Sequence, residues 1–107
     1  MATRTKLVKA QTTQKDLLAI LRVNMPELKE RFDVQNLWLF GSYARKETHI
    51  KSDLDLLVEF RRAPSMFEFV RLERLLSEKV GVKVDLVMKS ALKPDIGARI
   101  LQEIIPV

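Results

Sequence analysis

Two aspartates stand two residues apart at the head of an apolar run, Asp53-Leu54-Asp55-Leu56-Leu57-Val58-Glu59-Phe60. In a strand, successive side chains point to opposite faces. Leu54, Leu56, Val58 and Phe60 therefore share a core face, and Asp53, Asp55, Leu57 and Glu59 share the other. Two carboxylates on one face of a mostly apolar strand repel each other and lose solvation. The run thus calls for a sheet with one packed face and one face where negative charge is compensated. A divalent cation is the natural compensation, because hard cations such as Mg²⁺ take oxygen ligands and bind through a few carboxylates together with substrate phosphates. The competing reading puts Asp53 at the strand mouth and leaves only Asp55 unusual.

A third acid bears on the choice. Asp85 lies between the core-type residues Val84 and Leu86 and so faces away from them. If its strand runs beside the Asp53 strand, Asp85 joins the same cluster. Three carboxylates can hold two Mg²⁺ ions roughly 3.5–4 Å apart, which clamp the attacking and leaving oxygens of a phosphoryl displacement. Taken alone, Asp85 is an ordinary exposed residue on an edge strand. Gly41-Ser42 precedes Asp53 by ten intervening residues. Glycine allows close backbone approach to a ligand. The Ser42 hydroxyl and the amides of a following helix can cradle a triphosphate, and Arg45 can add charge to it. A Gly-Ser pair by itself is only a turn; its spacing to Asp53 gives it weight.

The rest of the chain supplies an α/β frame. Thr13 and Asp16 cap a helix that continues with Leu17, Leu21, Leu28 and Phe32 at helical spacing. Pro26 interrupts it, which predicts two short segments or a kink. Asn36 to Phe40 reads as a buried strand ending at Gly41. Ser65 and Glu68 form a capping box before Met66, Phe69, Val70, Leu72 and Leu76, and Gly81 ends that helix. Val82, Val84, Leu86 and Met88 alternate as a third strand. Pro94 opens a last helix with Ile96, Ile100, Leu101 and Ile104 on one face. The expected order is helix, strand, short helix, strand, helix, strand, helix.

At 107 residues the chain is one domain with enough material for a core. It has no cysteine, which excludes disulfides and thiolate metal sites. No apolar stretch approaches the ~20 residues of a membrane span, and the first residues lack the apolar run of a signal peptide, so a cytoplasmic protein is expected. The net charge of +5 suggests nucleic acid, but its distribution argues otherwise. Arg4, Lys6, Lys9 and Lys15 precede the first acid, and from Asp16 onward fifteen bases face fourteen acids. Residues 1–12 read as a loose basic tail before a domain over 13–107, and nucleic acid is not required as a partner.

The residues resemble a known family. Gly41-Ser42, ten residues, Asp53-x-Asp55 and a later strand aspartate are similar to the nucleotidyltransferase superfamily related to DNA polymerase β, and the small size resembles its minimal (MNT) branch. The likeness extends through Pro26-Glu-Leu-Lys-Glu-Arg-Phe32, Leu39-Phe-Gly-Ser-Tyr-Ala-Arg45 and Ala91-Leu-Lys-Pro94. It implies a small mixed sheet flanked by helices. It also implies that Gly41, Ser42 and Arg45 hold the triphosphate of ATP and that Asp53 and Asp55 ligate Mg²⁺. Asp85 would complete the metal site or take the proton of the acceptor hydroxyl. Many MNT proteins are antitoxins paired with a helical HEPN ribonuclease toxin, and some transfer AMP to a toxin tyrosine. The implied partner is then a HEPN-type protein in a hetero-oligomer. The alternatives are neutralisation by binding alone, or transfer to an RNA end or a small-molecule hydroxyl. One departure is Lys46, where many relatives carry glycine.

Other residues admit two readings. His49 is a solvated loop residue or a proton carrier. Tyr43 stacks on a base or covers the start of the short helix. Trp38 and Phe40 read as core, and Arg61 and Arg62 as a solvated turn or an anion contact.

Overall fold

The computed structural model describes residues 13–48 and 52–107. The basic tail over 1–12 and His49 lie outside the described residues. The elements run α1 (Gln14–Phe32), β1 (Val34–Phe40), α2 (Ser42–Arg45), β2 (Leu54–Phe60), α3 (Met66–Val80), β3 (Val84–Met88), a 3₁₀ turn (Lys89–Ala91), α4 (Pro94–Leu101) and β4 (Ile105–Pro106). The four strands form one mixed sheet in the order β3-β2-β1-β4, with helices beside it, as the fold class required.

Local chemistry explains most boundaries. Thr13 and Asp16 make a reciprocal capping box at α1, and Ser65 and Glu68 make another at α3. Each satisfies two amides that the first helical turn leaves without partners. Gly81, at φ 78°, ends α3 in the left-handed region that glycine enters freely. Leu17, Leu21 and Leu28 of α1, Leu72 and Leu76 of α3, and Leu39, Leu54, Leu56 and Val58 of the sheet form the fully buried core.

β2 is the central element. It pairs antiparallel with β1, placing Phe40 opposite Asp55, and parallel with β3, placing Asp55 opposite Asp85. The α3 crossover makes the parallel pairing possible, since parallel neighbours cannot be joined by a tight turn.

Several expectations need correction. One helix runs through Pro26 instead of two segments. Leu17, Leu18, Leu21 and Leu28 lie on both sides of the proline and all are buried, so core packing outweighs the single backbone bond that proline removes. Leu57 shares the acids' face yet is fully buried; both faces of β2 are covered at its middle. The last helix stops at Leu101, and its expected core face is partly open, with Ile96 53% and Leu101 45% exposed. Beyond it, Ile105–Pro106 adds an unforeseen fourth strand against β1. A strand of two residues shows no periodicity, and proline is tolerated there because an edge strand can lack a donor.

Candidate active site

The register of the sheet builds the site. Asp55 and Asp85 are paired neighbours on β2 and β3, and Asp53 stands just before β2 begins. The Leu54 amide donates to the Lys83 carbonyl at 2.8 Å, which fixes the entry of β2 against that of β3. The three acids named from the sequence are thus brought to one end of the sheet. They differ in exposure: Asp53 and Asp85 are exposed and Asp55 is partly buried. The Asp55 carboxyl is pushed up to about 6, first by burial, then by the charges of Asp85 and Asp53, against a weaker opposing pull from Arg45. As the side chains stand, no three acidic or histidine side chains among the described residues enclose an ion.

Gly41 meets the acids from the neighbouring strand. It has φ 74° and is buried. A β-carbon there would overlap the Asp55 carboxylate oxygen and come within 2.9 Å of its Cγ. Only glycine satisfies both the positive φ and the contact. The short helix α2 begins at the next residue, and the Arg45 amide is the first to bond back, to the Gly41 carbonyl at 3.1 Å. The amides of Ser42 to Ala44 belong to the first turn, which helix geometry leaves without internal acceptors.

Three neighbours complete the surroundings. Tyr43 is only 6% exposed and lies within the core cluster, so it packs under α2 instead of presenting its ring to a ligand. Burial, and then the charge of Asp53, raise its hydroxyl pKa. Arg45 pairs with Glu47 at 2.8 Å and with Glu103 at 3.2 Å, so its charge is shared with two carboxylates. Lys46 occupies the left-handed conformation at φ 59° and caps α2, a conformation that glycine adopts at lower cost. Sequence reasoning missed Gln14, whose side-chain amide donates to the Tyr43 carbonyl at 2.9 Å and the Ala44 carbonyl at 3.2 Å. No local pattern marks a contact 29 residues away. Trp38 is not core but half-buried, with the Lys89 ammonium 5.2 Å from its ring centre. Arg61 donates to the Lys29 carbonyl and to the Asp33 carboxylate, just past the end of β2 opposite the acids.

Comparison with known proteins agrees with this fold. The family model for the nucleotidyltransferase domain matches residues 25–107. The chain is 43% identical over 96 residues to the protein adenylyltransferase MntA of Thermococcus cleftensis, covering 90% of this chain and 97% of that protein. It superposes on a solved structure described as a minimal nucleotidyltransferase with a TM-score of 0.77 and 34% identity, covering 92% of this chain and 99% of the other. A chain in the complex of tri-AMPylated Shewanella oneidensis HEPN toxin with MNT antitoxin shares the fold, with a TM-score of 0.57 and 21% identity over 91% of this chain and 70% of that one. No helix among the described residues is long and apolar enough to cross a membrane.

Proposed function

The chain belongs to the nucleotidyltransferase family, and from that premise we propose that it transfers AMP from ATP to a hydroxyl of a partner protein, a HEPN-type helical toxin that it thereby neutralises in the cytoplasm. The observation that carries the reading is the pairing of Asp55 with Asp85 under a glycine that no other residue can replace. The protein-adenylyltransferase name of the relative at 43% identity supports the reaction class, and the AMPylated toxin of the Shewanella complex supports the partner.

The residues suit Mg²⁺. A carboxyl held near 6 by burial and two neighbouring acids is a site short of positive charge. Asp53, Asp55 and Asp85 would supply hard oxygen ligands, with phosphate oxygens as the others. Bound there, the metal would neutralise charge building on the transferring phosphoryl group. Gly41 removes side-chain bulk where the phosphate chain passes the acids. Ser42 and the first amides of α2 donate to phosphate oxygens, and Arg45 adds charge from the end of that helix. Asp85, exposed at the sheet edge, accepts the proton of the incoming hydroxyl. The hydroxyl oxygen bonds to the α-phosphorus, the bond to the bridging oxygen breaks, and pyrophosphate leaves. The partner positions its own hydroxyl, and positioning can lower the barrier by roughly 7–11 kcal/mol.

Intact-mass spectrometry of the purified partner, incubated with this protein, ATP and Mg²⁺, tests the reading. The expected result is one or more added AMP units, absent with Asp53→Asn. Binding and silencing of the toxin with no change in its mass would mean neutralisation by occlusion.

A further inference from the structure

The short helix α2 cannot hold its own orientation. It spans only Ser42–Arg45, far below the length at which a helix persists by itself in water. Its placement depends on what grips it from outside. Tyr43 anchors it to the core. A second grip comes from α1. Gln14, the first residue of that helix, donates from its side-chain nitrogen to the Tyr43 carbonyl at 2.9 Å and to the Ala44 carbonyl at 3.2 Å. Both neighbours only accept, so the nitrogen of the Gln14 amide, and not its oxygen, faces them. The Gln14 backbone is itself fixed, by the Thr13–Asp16 capping box and by the buried Leu17 and Leu18 of the same turn.

Peptide geometry carries this grip to the other side of α2. A trans peptide is planar, so the carbonyl of one residue and the amide of the next form one rigid unit pointing opposite ways. The amides of Ser42, Tyr43 and Ala44, which helix geometry leaves without internal acceptors, are thus backed by the carbonyls of Gly41, Ser42 and Tyr43. The Gly41 carbonyl accepts from the Arg45 amide at 3.1 Å and the Ser42 carbonyl from the Glu47 amide at 2.9 Å. The Tyr43 carbonyl receives the Lys46 amide only at 3.3 Å, and its bond from Gln14 at 2.9 Å is the shorter of the two. Gln14 therefore sets the tilt of the peptide that carries the Ala44 amide. A bond accepted at the carbonyl also polarises that peptide and strengthens its N–H as a donor. The helix starts beside Gly41, which lies against the Asp55 carboxylate, so a rotation of α2 changes what its amides present next to the acids.

We propose that Gln14 is a positioning residue for AMP transfer, acting through α2 without touching ATP or the acceptor. Its two bonds hold the peptides of α2 at the angle at which their amides meet the phosphates of the donor. This rests on the nucleotidyltransferase reading and adds a residue that the reading does not use. Its effect falls on the donor side of the reaction and not on the acceptor side.

Steady-state AMP transfer to the purified partner, with ATP and partner varied in turn, tests this on the full chain carrying Gln14→Met, Gln14→Glu or Gln14→Lys. Methionine keeps the length and removes the donors. Glutamate turns acceptors toward the two carbonyls, and lysine restores a donor at similar reach. Gln14→Met and Gln14→Glu are expected to lower kcat/KM for ATP about tenfold and to leave the KM for the partner unchanged. Gln14→Lys is expected to recover most of that loss. Thermal unfolding gives the folded fraction of each variant, so that rates are compared per folded molecule. A wild-type kcat/KM for ATP in Gln14→Met would overturn the inference and leave the transferase reading intact. So would a loss that lysine does not recover or that falls equally on ATP and partner, since Gln14 would then only support the fold. A wild type that transfers no AMP to the partner would sink the transferase reading, and this inference with it.

Discussion

Asp55 and Leu56 are adjacent on one strand, yet they live under opposite rules. Leu56 is fully buried in a core shared by α1, α3 and the sheet. Asp55 is partly buried among like charges and beside a glycine that its carboxylate nearly touches. Leu56 lowers the free energy of folding and the uncompensated Asp55 raises it, although Leu57 on the acids' own face is again fully buried. The difference teaches that the unfavourable part of β2 is confined to the end that carries the acids, where the return is chemical.

Substitutions on the two faces should separate cleanly. The largest effect is expected for Asp53→Asn and Asp55→Asn. Each should reduce AMP transfer to the partner by a factor on the order of 10³, comparable to removing a central electrostatic contact, while thermal unfolding in metal-free buffer shows an unchanged or higher midpoint. A marked loss of stability would make these aspartates structural and erase the contrast. Leu56→Ala should do the reverse, lowering the unfolding free energy by roughly 2–5 kcal/mol as a core truncation. Urea denaturation measures it, and transfer per folded molecule should persist.

A pH series sharpens the comparison further. The Asp55 carboxyl titrates near 6 in the fold, above its ordinary 3.8, so the folded state holds this proton more tightly than the unfolded chain does. The folded state therefore loses stability as pH rises from about 4 to about 6, and the loss remains above that window. Its size, discounted for partial solvation, is roughly 1–2 kcal/mol. Asp55→Asn should remove that decline, seen as a flatter midpoint against pH in the absence of metal; an unchanged slope would show that Asp55 does not carry it. The smallest effect is expected for Lys46→Gly, which should raise the unfolding free energy by roughly 0.5–1 kcal/mol by relieving a left-handed lysine. A drop in stability would mean the Lys46 side chain is held by contacts that outweigh its backbone cost.

The sequence was readable wherever the determining interactions are local. Both capping boxes, the Gly81 stop and the strand around Asp55 depend on residues within one or two turns of one another. The identity of the three acids was legible because each stands next to core-type strand residues and alternates onto the opposite face, where carboxylates need compensation. Their meeting was legible only as a condition, since the Asp55–Asp85 pairing is set by how α3 returns the chain. Features governed by distant partners stayed hidden: the bond from Gln14 to α2, the burial of Leu57, the open face of α4 and the strand at Ile105. The left-handed turn at Lys46 is invisible from its residue type, because lysine is an unlikely occupant of that conformation.

The position of β2 between β1 and β3 also governs how the site behaves in time. A strand with neighbours on both edges opens only when a large part of the sheet separates, so its amides belong to the slowest class in hydrogen exchange. Asp55 rides on that strand, and its motion is tied to global unfolding instead of to loop fluctuation. The Asp55 carboxylate is thereby held ready before any ligand arrives, and little ordering entropy remains to be spent on its backbone when one does.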